Sequence, residues 1–313
     1  MNSAAKSKGV SLQDRHSTGE AFGLIMRFNF DMLQQWASIA HDGKDIEGVH
    51  QARVSLRRMR SALGLFRKAI PREITAPWGE EMRWIATAMG AARDLDVFIH
   101  EGLKAMSGRI PLESGEKKLL ALAEQRRAEA YIEVRTLLES ERYRAFTNNF
   151  AQWLDEKGWM QGDLPEANRV RMAKTIRRYA LSVLGKRMGS TLAYGDQITT
   201  MNSTELHALR IECKKLRYAF EFFQPLFVEK GMQNFSLYLK GLQDVLGVMN
   251  DVSVMPGLME KILAGSTDLE TLQYAGAVIG WRSRQYEEVR GHLIPRWNEF
   301  SSASLPWMIH RKK

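Results

Sequence analysis

The chain has 313 residues, a formal charge of +9 from 45 Lys+Arg against 36 Asp+Glu, and 44% apolar content, which excludes a disordered polyelectrolyte and points to an anionic partner. Its length suffices for two domains with cores of their own, and a single cysteine, Cys213, excludes an intramolecular disulfide framework and any multi-thiolate metal site. The first residues lack the apolar core of a signal peptide, and no later run approaches the ~18 apolar residues of a membrane span, so the reading is a soluble, cytoplasmic protein.

Helical periodicity dominates, with eight prolines thinly scattered and no Asn-Gly or Asp-Gly hairpin signal between β-rich runs, so the fold class is all-α. Residues 1–16 read as a disordered tail. A capping box, Ser17-Thr-Gly-Glu20, opens the first helix. A basic helix over about 47–69 ends before Pro71, a helix with a Gly-Asp motif covers about 78–106, and a long helix covers about 113–155. The stretch from Asp155 to Pro165 is punctuated by glycine and proline. The same order then resumes: an opening helix near Asn168, a basic helix over about 204–223 before Pro225, a Gly-Asp helix over about 234–263, and a last helix over about 267–299 broken at Pro295. Four helices in each of residues 17–160 and 166–313 predict two four-helix bundles.

The order recurs because the sequence does. His50, Arg53, Arg57, Arg58 and Arg60 match His207, Arg210, Lys214, Lys215 and Arg217 at an offset of 157. The same offset aligns Arg83 with Lys240, Gly90 with Gly247 and Asp94 with Asp251.

On the first basic helix, Val49, Ala52, Leu56, Met59, Leu63 and Phe66 form one apolar stripe, repeated by Leu206, Leu209, Cys213, Leu216, Phe220 and Phe223. That places Cys213 in the core as a small hydrophobe. Beside the stripe, His50, Arg53, Arg57 and Arg60 share an arc, as do His207, Arg210, Lys214 and Arg217. A solvated helix face normally intersperses acids, yet residues 48–72 hold seven basic residues and no acid, and so do residues 168–187. Together with 207–217 these segments carry +17, leaving −8 for the rest: an acidic scaffold with a focused positive field. Arg58 and Lys215 lie off the arc, as second-row ligands or structural partners.

His50 and His207 suit either a phosphate contact or a capping role, and neither has a second His or Cys at metal-ligand spacing, so no metal site is expected. Asp94 and Asp251 fit a supporting role, holding arginines of the basic helices in place. A metal held by Asp94 and Asp96 is disfavoured, since i,i+2 carboxylates diverge on a helix. Gly90 and Gly247 read as points of close helix packing.

The paired pattern His-x-x-Arg-x-x-x-Arg-Arg-x-Arg followed by Gly-x-x-Arg/Asn-Asp resembles the CHAD family, the conserved histidine α-helical domain, and does so twice over essentially the whole chain. The resemblance implies two helical bundles related by a pseudo-twofold axis, with basic helices facing a central cleft. It implies inorganic polyphosphate as partner, with divalent cations able to accompany it, residence on polyphosphate granules, no cofactor and no catalytic residue. Carried over by position, the polyphosphate-binding set is His50, Arg53, Arg57, Arg58, Arg60, Arg83, His207, Arg210, Lys214, Lys215, Arg217 and Lys240. A nucleic-acid-binding module, a polyphosphate-processing enzyme and an adaptor for an acidic protein are the alternatives. The first is disfavoured because no tryptophan interleaves with the basic arc.

Overall fold

The computed structural model describes residues 10–227 and 231–308. In chain order the α-helices are α1 (Thr18–Asp42), α2 (Glu47–Phe66), α3 (Arg72–Ala88), α4 (Gly90–Val97), α5 (Lys104–Met106), α6 (Glu113–Glu139), α7 (Glu141–Asp155), α8 (Glu166–Ala173), α9 (Ile176–Leu192), α10 (Ser203–Phe223), α11 (Met232–Leu263), α12 (Leu269–Arg290) and α13 (Leu293–Ser301). The molecule is all-α: no strand occurs among the described residues, and β-pairing is confined to one isolated bridge, Ser17 with Thr175.

Helix starts follow local chemistry. Ser17 caps α1 through the Glu20 backbone N–H while Glu20 reaches back, as the sequence predicts, and Asn202 and Glu205 form a second capping box at α10. The expected helix over 78–106 is interrupted. At Met89 the backbone turns to φ −81° and ψ 0°, α4 begins at Gly90, and Phe98–Leu103 is π-helical. The Ala86 carbonyl at this break accepts a hydrogen bond from Arg53. The counterpart, α11, is continuous through Pro256. The long last helices are also divided, at Ser140, which N-caps α7, and at Gly291–His292 rather than at Pro295. That proline sits in the first turn of α13, where it removes no helical hydrogen bond.

In the first half α2 packs between α1 and α3, and α4 packs on α6; in the second, α10 packs between α9 and α11, and α11 on α12 and α13. The halves meet at several places. Helix α6 lies on α12, where a Cβ at Gly115 would fall 2.3 Å from the Glu270 carbonyl oxygen, so only glycine allows this approach. Lys118 bridges Asp268 and Glu270 at 2.7 and 2.6 Å across the same contact. The starts of α1 and α9 are tied together: Thr18 N–H donates to the Lys174 carbonyl at 2.8 Å, and Ile176 N–H to that of His16 at 2.9 Å.

Of the expected tail, residues 1–9 lie outside the described residues. From Val10 onward the chain is placed against the body, with Leu12 buried and Asp14 paired with Arg177 at 3.4 Å. The peptide between α7 and α8 is likewise docked, since Trp159 is buried and its indole N–H donates to the Gly19 carbonyl at 3.0 Å.

Candidate functional site

The apolar stripes of α2 and α10 form core. Val49, Ala52, Leu56, Met59 and Phe66 are fully buried, as are Leu209, Cys213, Leu216 and Phe223. Burial pushes the Cys213 thiol up to about 12, so it is an inert core side chain. The arcs beside these stripes stay at the edge of the core, leaving Arg53, Arg57, Arg210, Lys214 and Arg217 half-buried. The last turns of the two helices meet, with the Phe66 and Phe223 rings 6.0 Å apart and Tyr179 of α9 stacked on Phe66 at 5.3 Å.

Next to this contact the two arcs merge. Tyr218 of α10 is buried between guanidinium groups from both helices, Arg57 at 5.6 Å and Arg217 at 5.2 Å from its ring centre. Lys214 lies among Arg210, Arg57 and Arg217. Its partial burial first, and these three charges second, push its pKa down from 10.5 to about 8, with Asp251 pulling the other way. The Arg57 Nε is buried and has no hydrogen-bond partner among the described residues. Four cations therefore converge from two helices, with Asp251 at 3.9 Å from Arg210 and Glu221 at 3.4 Å from Arg217 as the flanking acids.

Toward the helix starts, corresponding positions make corresponding neighbours. Asp251 faces Arg210, and Asp94 faces Arg53 in the same relation, without an ion pair within 4 Å. Although Asp94 reaches solvent, its surroundings are poor in water. This raises its pKa, against the pull of Arg53, Lys261 and Arg93. His207 Nδ1 lies 2.8 Å from Asn250 Oδ1, within hydrogen-bond distance across α10 and α11. His50 stands near Arg93, the counterpart of Asn250, and burial followed by the Arg93 charge lowers its pKa, leaving a neutral imidazole at pH 7. Neither histidine caps its helix, because the N-caps are Ile46 and Asn202. Gly247 has open space around a notional Cβ, and at Gly90 the nearest group is the Arg53 guanidinium at 3.6 Å, so neither glycine is required for tight packing.

The remaining predicted residues are engaged differently. Arg58 is paired with Glu221, which also lies 3.4 Å from Arg217; Lys215 is paired with Glu212 at 2.5 Å, itself 3.6 Å from Arg187. Both off-arc residues thus have structural partners. Arg60 is exposed near Arg83, which pairs with Glu80 at 3.4 Å, while Lys240 pairs with Asp244 at 3.1 Å in a separate groove with Tyr238 and Arg296. Sequence reasoning missed Tyr218 and Glu221, which organise the α2–α10 contact. The i,i+4 spacing of Arg217 and Glu221, with Tyr218 directly after Arg217, was the available signal. It also missed Asp96 as a buried structural group, held by Arg127 at 2.7 Å and the Tyr131 hydroxyl at 2.9 Å.

Comparison with known proteins agrees with this architecture. The sequence model of the CHAD domain matches residues 24–260. The crystal structure of the CHAD domain from the plant Ricinus communis is similar with a TM-score of 0.81 at 23% identity, covering 96% of this chain and 96% of that one. PptA from Streptomyces chartreusis is similar with a TM-score of 0.63 at 15% identity, covering 90% of this chain and 99% of its own. At these identities the likeness speaks for the fold alone. No curated protein matches the sequence.

Proposed function

The chain belongs to the CHAD domain family, and from that membership we propose that it is a non-enzymatic binder of inorganic polyphosphate, held between α2 and α10. The observation that carries this reading is the convergence of Arg57, Arg210, Lys214 and Arg217 from the two helices, four cations against two flanking carboxylates, Asp251 beside Arg210 and Glu221 beside Arg217. Half-buried like charges held together disfavour the folded state, and a bound anion would offset that repulsion. A linear chain of phosphates, with charge at every repeat, suits rows of donors better than a compact anion does. Arginine supplies a planar fork for pairs of phosphate oxygens, and Lys214 supplies a point charge.

The surrounding groups fit this role. Asp251 and Asp94 stand where they bias the positions of Arg210 and Arg53. The neutral His50 offers a hydrogen bond without adding repulsion. Tyr218 is buried and so offers no exposed ring on which a nucleobase could stack, which favours polyphosphate over single-stranded nucleic acid. Divalent cations accompanying the phosphates are part of this proposal, and no group of three or more His, Cys, Asp or Glu side chains is placed to hold a metal ion among the described residues. No described helix is long and apolar enough to cross a membrane. The reading places the protein in the cytoplasm, on granules where polyphosphate accumulates.

The test is retention on immobilised long-chain polyphosphate. Arg57→Glu with Lys214→Glu reverses two of the four central charges, and the double variant should lose retention while its helical circular dichroism stays unchanged. Undiminished retention would overturn the assignment. Competition at fixed ionic strength separates the nucleic-acid reading, under which RNA or DNA of equal charge would displace polyphosphate. Phosphate release in the presence of Mg²⁺ or Mn²⁺ would show an enzyme instead.

A further inference from the structure

The two acid-free basic segments, 48–72 and 168–187, are far apart in sequence and packed together in the fold. Where α2 ends, the Asn168 side chain donates to the Ala69 carbonyl at 3.0 Å, and Arg171 to that of Lys68 at 3.4 Å. The Tyr179 hydroxyl donates to the Leu65 carbonyl at 2.9 Å and feels the charges of both Arg171 and Arg67. Arg67, Lys68, Arg72 and Arg171 are all exposed there, and none takes part in an ion pair among the described residues. The neighbouring Glu166 is held by Arg169 at 3.1 Å.

This outer surface is continuous with the central site on one side only. On α2 the spacing that generates His50, Arg53, Arg57 and Arg60 continues through Gly64 to Arg67, and Arg67 keeps right-handed helical backbone angles. Gly64 is exposed and leaves open space where a side chain would stand. On α10 the same spacing leads from Arg217 to Glu221, whose carboxylate closes the row by pairing with Arg217 and Arg58. One row therefore ends in an acid, while the other runs out over a gap onto further cations about 15 Å along the helix from Arg57.

We propose that a polyphosphate chain held between α2 and α10 leaves the site over Gly64 and continues along the outer surface formed by Arg67, Lys68, Arg72 and Arg171. This rests on the polyphosphate reading above and adds its direction and its dependence on length: affinity rises with chain length because longer chains reach the outer cations.

The experiment compares tripolyphosphate and long-chain polyphosphate on the full-length protein and on an Arg67→Gln, Lys68→Gln, Arg171→Gln variant. Long-chain affinity should fall about tenfold, tripolyphosphate affinity should be unchanged, and the slope of log affinity against log salt for the long chain should shrink by about 2, as expected for three lost phosphate contacts. An Arg67→Gln, Lys68→Gln variant keeps the Arg171 contact with α2 and should show a smaller loss of the same kind, which guards against a folding defect in the triple variant. Equal losses for both chain lengths, or no loss for the long one, would overturn the outer route. So would a loss of RNA binding with long-chain polyphosphate affinity intact. If the unsubstituted protein bound neither polyphosphate, the functional reading would fail along with the route; if it bound both and the variants matched it, only the route would fail.

Discussion

A lysine whose pKa is pushed down to about 8 is a charge the fold disfavours, and Lys214 is in this state because burial and three arginines act on it together. Above pH 8 the folded protein sheds that proton, while the unfolded chain keeps it until about 10.5. The unfolded state then binds more protons, and stability rises with pH across this interval. Replacing Lys214 with methionine should therefore stabilise the protein at pH 7 by about 1–2 kcal/mol, after allowance for partial solvent exposure. It should also flatten the rise between pH 8 and 10.5, as measured by urea unfolding at several pH values. Ligand affinity should run the opposite way. A bound polyanion favours the charged amine, so polyphosphate affinity should fall as pH climbs through 8 in the unsubstituted protein and stay level in Lys214→Arg.

At the scale of elements, α2 and α10 differ most where their last turns meet. Glu221 neutralises Arg58 and Arg217 at this contact, and its counterpart on α2 is Gly64. Glu221→Gln should release both arginines, tightening polyphosphate binding by roughly three- to tenfold while costing about 1 kcal/mol of stability. Titration calorimetry and urea unfolding measure the two effects, and unchanged affinity would mean that these arginines do not face the ligand. Helix identity and the two basic arcs were legible in the sequence because apolar and basic spacings repeat independently of tertiary contacts. The breaks at Met89 and Ser140 were not. At Met89 the Ala86 carbonyl takes a hydrogen bond from Arg53 on another helix, and no local propensity encodes that partner. The pairing of Arg58 with Glu221 was hidden for the same reason: its members are 163 positions apart.

For the whole molecule, the focused field foreseen from the charge distribution takes a more particular form. Some predicted cations gather between α2 and α10, whereas Arg83 and Lys240 stay exposed beside acids of their own helices. Charge along the sequence marks which helices are basic; helix packing decides which of their side chains share a site. The way the halves are joined matters equally. The starts of α1 and α9 hold each other by backbone hydrogen bonds, α6 lies on α12, and Trp159 is sealed against α1. Between buried Trp159 and buried Leu164, the turn at Gln161, Gly162 and Asp163 is exposed, and Gly162 adopts φ +82°. A chain cut between Gly162 and Asp163 should elute as one particle from a sizing column and separate into two bands only when denatured. Because the central cations come from both sides of that cut, polyphosphate would act as a molecular glue for the fragments. The cut particle should therefore resist dissociation by urea to a higher concentration when polyphosphate is bound.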